Sequence, residues 1–446
     1  MVFEKIIGIT NKILWDYLLI FLLVGVGVYY TFKLKFVQVR KLHPAMKQVF
    51  GGIFKKSEKA DNDGMTSFQA LATAIAAQVG TGNLAGVATA IISGGPGAIF
   101  WMWVSAFFGM ATIFAEAVLA QTYKEKVDGE ITGGPAYYIS KGLKNRGLAV
   151  FFSIAIIIAL GFVGNMVQSN SIAAAMNNAF DVSKVLIGVI IAFLTFLIFT
   201  GGMSRIASFT EKVVPFMALL YIVGSIIIVL MNYKNIGPAF GMIFKGAFSP
   251  KAVAGGVFGV SMKQAVRFGV SKGLFSNEAG MGSTPHAHAV AKVNHPAEQG
   301  LVAIAGVVID TLVICTLTAL VILTTGVYIS GATGPVLTQM AFTAAFGKYG
   351  NPFIAISLFF FAFSTIIGWY FFGEANVKFL FGESGIKYYR FLVIIFLVLG
   401  STLEVQLVWD MADTFNGLMV IPNVIALFAL GSKVKDSLSN YEKIKN

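Results

Sequence analysis

Apolar residues recur along this chain in long unbroken runs, with polar residues gathered in the short stretches between them. A helix that crosses a bilayer needs roughly 20 such residues, with a usual range of about 17–25. By that measure eleven spans are expected, at about 14–32, 66–92, 97–123, 149–177, 184–201, 208–231, 252–282, 297–325, 352–380, 388–403 and 411–431. The runs are continuous rather than alternating, which favours helices over a β-barrel. The longest intervening stretches, 33–65 and 124–148, are too short for a further domain. The expected fold is an all-α polytopic membrane protein forming one transmembrane unit.

Composition agrees with this pattern. Hydrophobic residues make up 57% and charged residues 12%, against about 25% charged in an ordinary soluble protein. Lipid must be the solvent for much of that surface. A net charge of +12 suggests nucleic acid at first sight. The basic residues lie in short loops between apolar runs, however, where they set membrane orientation, so no nucleic-acid partner is expected. Of the 33 lysines and arginines, 25 fall in alternate segments: 33–65, 124–148, 202–212, 267–296, 378–390 and the tail after 431. That face is expected to be cytoplasmic, with the N-terminus outside and the C-terminus inside a multi-pass cell-membrane protein. The first span runs straight into the basic stretch Lys33–Lys41 without a small-residue cleavage site, so it reads as a retained helix. The single cysteine, Cys315, lies in an apolar run and excludes a disulfide framework.

Setting aside residues 1–65, with one extra N-terminal helix and its basic loop, leaves ten spans. They divide into five-helix halves, 66–232 and 251–432, followed by a cytoplasmic tail, 433–446. An odd number of spans per half makes the halves run in opposite directions, a 5+5 inverted repeat. The first helix of each half carries glycines and polar residues at membrane depth. In the first half these are Gln78-Val79-Gly80-Thr81-Gly82-Asn83, and in the second they fall within Gly269–Asn277. Paired interruptions of this kind point to the binding site of a secondary transporter.

A broken membrane helix exposes backbone groups that cost several kcal/mol each if left unsatisfied in lipid. Glycine permits the unwinding and lets a ligand approach the backbone. The half-helix starting near Asn83 points its positive end at the break, which suits a carboxylate. The carbonyls near Ala76 and Val79 suit a cation. Close helix crossing is the competing reading, and the polarity of Gly80-Thr81-Gly82-Asn83 argues against it. Ser364 and Thr365 stand in mid-span, either as two hard oxygen ligands for a cation or as hydroxyls bonded back to the i−4 carbonyl. Taken alone they favour the second. Asn165, Gln168 and Asn170 either touch substrate or tie helices together. Glu116 and Arg267 read as snorkelling groups or a gate pair. Asp310 reads as a functional carboxylate or a buried partner for a hydroxyl or for Lys263. His286 and His288, two residues apart, do not share a helix face, and with His295 they make a poor metal site. Gly94-Gly95-Pro96 reads as a turn. No nucleophile–base motif or phosphate loop appears, so neither an enzyme nor a resident cofactor is expected.

The run Gly94-Gly95-Pro96-Gly97-Ala98-Ile99-Phe100-Trp101-Met102-Trp103-Val104-Ser105-Ala106-Phe107-Phe108-Gly109 resembles the signature of the alanine or glycine:cation symporters. Gly273-Leu274-Phe275-Ser276-Asn277-Glu278-Ala279-Gly280-Met281-Gly282-Ser283 is similar to a second stretch typical of them. The resemblance implies alanine and glycine as substrates and sodium as the ion, carried into the cell by alternating access. That family is in turn similar to leucine-transporter-like proteins, and Gly80-Thr81-Gly82-Asn83 resembles their first broken helix. Carried over, Gln78 and Gly82 fall where substrate is held. Ala76 and Val79 fall where carbonyls bind sodium, and Ser364 and Thr365 match the paired hydroxyls of that site. In the second broken helix the resemblance points to Gly273, Phe275 and Ser276. A proton-coupled carrier with Asp310 or Glu116 as relay is the alternative. An ion channel is less favoured, because one asymmetric chain implies no ring of repeated filters. The sequence carries no signal of oligomeric state.

Overall fold

The computed structural model describes residues 2–53, 60–61, 64–248, 262–403 and 405–445. Its main helices are α1 (2–33), α2 (Ser67–Gln78), α3 (Gly82–Gly94), α4 (Ala98–Tyr123), α5 (Arg146–Phe180), α6 (Lys184–Phe199), α7 (Gly202–Met231), α8 (Met262–Asn277), α9 (Pro296–Thr325), α10 (Gly334–Phe346), α11 (Gly350–Phe381), α12 (Glu383–Thr402), α13 (Val405–Ala429) and α14 (Gly431–Lys445). Among the described residues, seven helices are long and apolar enough to cross a membrane. The pair α2 and α3, bent by 49°, makes an eighth if it is one span. Leu19–Lys33 of α1 and the whole of α6 are apolar but shorter. The first ten residues of the expected span 252–282 lie outside the described residues.

Local chemistry sets several helix starts. Thr66 and Gln69 form a reciprocal capping box at 3.1 and 3.0 Å that opens α2. The Asn145 side chain accepts from the Leu148 amide at 2.9 Å to open α5. His295 accepts from the Ala297 amide at 3.1 Å, and Pro296 takes the first position of α9. Gly95, at φ +71°, makes the turn from α3 to α4 as its sequence suggests.

The connecting stretches are more structured than apolar length alone indicates. Residues 33–65 include the helices Val37–Arg40 and Leu42–Ile53. Residues 124–148 include an antiparallel hairpin pairing Glu125–Val127 with Glu130–Thr132, and the helix Pro135–Gly142. The tail is helical because Val434, Leu438 and Tyr441 bury one face at i, i+4 and i+7. Glu442 on that helix pairs with Arg40 at 3.0 Å and Lys41 at 3.1 Å. α10 was not anticipated either; its apolar stretch is shorter than a span.

Most residues of α11 are buried, whereas in α12 burial is confined to Tyr389, Val393, Leu397, Gly400 and Ser401. α11 therefore lies near the centre and α12 near the edge. Phe193, Phe216 and Phe391 are exposed on the outer helices, as lipid-facing side chains are. α8 crosses α4 closely through two glycines. A Cβ on Gly273 would stand 2.3 Å from Ser105 Oγ, and one on Gly269 would stand 2.3 Å from the Ala98 carbonyl oxygen. α1 lies along α13: Asn11 Nδ2 donates to the Asp410 carbonyl at 2.8 Å, Trp15 Nε1 to that of Asp413 at 3.0 Å, and the Tyr30 hydroxyl to that of Leu427 at 2.5 Å.

Candidate functional site

The helix α2 ends at Gln78, and Val79 turns out of it at φ −82°, ψ 88°. The chain re-enters helix as α3 through a wide π-type turn, Gly82–Gly86. Such turns recur at functional sites because they leave backbone and side chains off the regular ladder. All the residues of the break, Gln78 to Asn83, are buried. The Gly80 amide donates to Asn83 Oδ1 at 2.9 Å, which replaces one of the helical bonds lost at the break.

One side of the break faces α11. Thr365 Oγ1 lies 3.0 Å from the Ala76 carbonyl oxygen and 3.0 Å from that of Phe361. Ser364 Oγ lies 3.4 Å from the same Ala76 oxygen and 2.9 Å from Phe361 O. The hydroxyls therefore bond back along their own helix and also converge on α2. Gly80 is the close point of this packing, since a Cβ there would stand 2.4 Å from Thr365 Oγ1 and 3.5 Å from Gln168 Oε1. Gln168 on α5 donates to Thr81 Oγ1 at 3.2 Å, and its own carbonyl oxygen is buried without a hydrogen-bond partner among the described residues. Val79 is buried at this break beside Gly80. Three hard oxygens and an amide carbonyl are the donor set that a small hard cation prefers.

The opposite side faces α8 and α9. Asn83 Nδ2 donates to Asp310 Oδ1 at 2.6 Å. Ser276 Oγ donates to the same carboxylate at 3.0 Å, and Thr311 Oγ1 at 2.6 Å. Asp310 sits in a second wide turn, Val308–Cys315, opposite the one that carries Asn83. Gln78 Nε2 donates to the Asn277 carbonyl at 2.7 Å, while Gln78 Oε1 has no partner among the described residues. Gly82 faces Ser276 and Phe275, at 3.4 and 3.5 Å from the place its Cβ would occupy.

The other expected residues spread more widely. Gly273 packs against Ser105 and Met102 of α4. Phe275 is buried, with its ring 5.8 Å from that of Trp409. Asn165 Nδ2 donates back to Gly161 O at 3.0 Å, and its side-chain oxygen Oδ1 has no partner among the described residues. Asn170 ties α5 to the end of α12 through Gly400 O at 2.8 Å and Leu403 O at 2.9 Å.

Several expectations are corrected. The second interruption does not lie within Gly269–Asn277, which is helical throughout. It follows at Glu278–Thr284, where Glu278, Gly280 and Gly282 adopt positive φ. Glu116 does not pair with Arg267. It accepts from the amides of Gly280 at 2.9 Å and Gly282 at 3.0 Å and from Asn423 Nδ2 at 2.7 Å, and so supplies the acceptor that the unwound stretch lacks. Lys263 is exposed and is not the partner of Asp310. Arg267 and Lys272 line a cavity with Asn11 and Lys12, which puts them on the N-terminal face, not with the basic loops. His286 bonds Ser283 O and Asn376, and His288 bonds Gln299, so both fasten loop to helix.

Sequence reasoning missed Glu278, whose carboxylate accepts from Trp369 Nε1 at 2.7 Å and Ser283 Oγ at 2.5 Å. A carboxylate inside an apolar span is itself the signal that could have found it.

The profile of the sodium:alanine symporter family matches residues 1–446. The chain belongs to the sodium:alanine symporter family. The sodium/alanine symporter AgcS of Methanococcus maripaludis is 42% identical, over 100% of this chain and 98% of that protein. The probable sodium/glutamine symporter GlnT of Bacillus subtilis is also 42% identical, over 100% of this chain and 92% of its own length. Among solved structures, MhsT in complex with L-phenylalanine matches with a TM-score of 0.61 at 14% identity, covering 84% of this chain and 90% of that one. The fold is thus that of the leucine-transporter-like proteins. Sodium:alanine symporters are membrane transporters, not enzymes, and this chain is a multi-pass one.

Proposed function

We propose that this chain is a sodium-coupled symporter that carries small neutral amino acids, alanine and glycine, into the cell by alternating access. The observation that supports this most is the convergence of Ser364 and Thr365 on the Ala76 carbonyl beside the break at Gly80. With the Val79 carbonyl, these oxygens would bind sodium. The substrate would lie across the break, its carboxylate toward the amides near Gly82 and the positive end of α3. Asn165, Gln168, Thr81, Phe275 and Ser276 complete the proposed substrate surroundings, and no resident cofactor takes part. The arrangement behind this reading is one extra N-terminal helix and two inverted five-helix halves, 66–232 and 251–432, eleven spans in all, with the N-terminus outside and the tail cytoplasmic. An interruption near the start of each half supports it. The test is alanine and glycine uptake by proteoliposomes with and without an inward sodium gradient. Sodium-independent uptake would overturn the coupling.

One observation favours a second reading, a proton-coupled carrier: the carboxylate of Asp310 links Asn83 of the first break to Ser276 at the end of α8. Uptake driven by a pH gradient in sodium-free buffer would select it.

A further inference from the structure

The chain leaves α1 through a turn held by side chains. Lys35 and Phe36 both adopt left-handed backbone, at φ +52° and +56°, a conformation uncommon outside glycine. Gln38 Nε2 donates to Thr31 Oγ1 at 2.8 Å, and Arg40 donates to the carbonyls of Lys35 at 2.7 Å and Leu34 at 3.1 Å. The helices Val37–Arg40 and Leu42–Ile53 then bury one face. Val37, Gln38, Ala45 and Val49 are buried, and Val49 shares a buried cluster with Leu71 of α2 and Val302 of α9.

The outer face of the same segment is not that of a helix facing water alone. Phe36, Val39, Leu42 and Phe50 are exposed, and Phe32, exposed at the end of α1, meets Phe36 edge to face with ring centres 5.4 Å apart. Exposed Lys35, Arg40 and Lys47 stand among them. His43, Lys47 and Phe50 share one side of their helix at i, i+4 and i+7. Residues 33–53 carry five lysines and arginines and no aspartate or glutamate. Glu442 of the tail holds Arg40 and Lys41, whereas Lys35 and Lys47 have no ion pair among the described residues.

We propose that this outer face is a docking surface for anionic phospholipid. Apolar side chains that stay exposed together mark a contact surface, and aromatic residues interleaved with lysine and arginine suit a helix lying in the headgroup plane. A basic cluster directly beside a membrane span draws anionic headgroups in particular. An acidic protein would satisfy the cations but not the phenylalanines. The apolar row also continues onto the outer side of α1, where Phe21 is exposed as well, so the bilayer already reaches its edge. Headgroup phosphates meet Lys35 and Lys47, and acyl chains cover Phe36 and Phe50. Because Val49 on the inner side packs with α2 and α9, a lipid bound outside presses this segment onto the first broken helix.

The test is thermal unfolding of purified full-length protein in detergent, titrated with dioctanoyl phosphatidylglycerol. The unfolding temperature should rise with this lipid and should not rise with dioctanoyl phosphatidylcholine at the same concentrations. Lys35→Gln combined with Lys47→Gln should raise the half-maximal lipid concentration about tenfold or more, while Lys35→Arg combined with Lys47→Arg should respond as the wild type does. Phe36→Asn combined with Phe50→Ser should also weaken the response; asparagine tolerates the left-handed backbone at position 36. Both lysines are exposed, so the lipid-free unfolding temperature of the glutamine variant should match the wild type, which separates loss of the surface from misfolding. An unchanged lipid response in the glutamine variant would overturn the proposal. Equal stabilisation by inorganic phosphate would overturn it in favour of a simple anion site. Equal stabilisation by a polyglutamate peptide, lost with the lysines but indifferent to the phenylalanines, would overturn it in favour of an acidic protein partner.

Discussion

The side-chain amide of Asn83 stands 2.6 Å from the carboxylate of Asp310, across 227 residues of sequence. Each residue lies in a wide helical turn, one at the start of α3 and the other within α9. Ser276 brings the end of α8 to the same carboxylate. Three helices from both halves of the chain thus share one acceptor, and any movement of α3 against α8 must be accommodated there.

Asp310→Asn tests that junction. The amide keeps the shape but turns one acceptor oxygen into a donor facing other donors. Hydrogen bonds to a charged group contribute about 1.5–3 kcal/mol each, so the variant should lose about 2 kcal/mol or more of stability and most of its uptake. Thermal unfolding in detergent and alanine uptake measure the two effects. Wild-type values for both would remove Asp310 from the site.

Ser364→Ala with Thr365→Ala should raise the sodium concentration for half-maximal uptake by about tenfold or more. Alanine affinity at saturating sodium should move far less. Thr365→Ser retains the hydroxyl that approaches Ala76 and should stay close to wild type. Equal loss in Thr365→Ser and Thr365→Ala would show that the methyl packing matters rather than the oxygen.

The two glycines of the break should respond differently. A Cβ at Gly80 would collide with Thr365 Oγ1, whereas one at Gly82 meets only ordinary contacts with Ser276 and Phe275. Gly80→Ala should therefore impair sodium dependence, while Gly82→Ala is tolerated and Gly82→Val loses alanine binding. Alaninol, which lacks the carboxylate, should bind the wild type far more weakly than alanine does. Calorimetry in detergent decides each case, and full alanine affinity in Gly82→Val would place the substrate elsewhere.

Orientation can be read by labelling single cysteines at Lys12 and Ser439, both exposed. The native Cys315 is buried, so its background is low. A membrane-impermeant reagent applied to intact cells should label position 12 and spare position 439. Labelling at both positions would overturn the expected topology.

The first break was legible in the sequence because Gly80-Thr81-Gly82-Asn83 combines flexibility and polarity inside an apolar run. The second was misplaced. Gly269 and Gly273 look like unwinding signals but serve close packing on α4, and the residues that unwind are Glu278, Gly280 and Gly282. A lone sequence cannot separate those two uses of glycine, since both follow from the missing side chain. The pairing of Ser364 and Thr365 with Ala76 depends on how α11 docks against α2, a long-range relation without local signature that only the family resemblance brought into view. Glu116 reads from sequence as a snorkelling group or a gate partner, whereas its oxygens accept from backbone amides, which no residue identity announces.

The docking of α1 on α13 has a consequence for how the chain is made. Trp15 and Asp413 are separated by 398 residues, and ribosomes add about 5–20 residues per second. Once Trp15 has been synthesised, its partner helix follows only after about 20–80 s at those rates. During that interval the Asn11 and Trp15 donors must be satisfied by water, headgroups or the insertion machinery. Biogenesis therefore ends with a late closure between segments made far apart in time, and a ribosome stalled before α13 would leave α1 in the membrane without the surface that holds it.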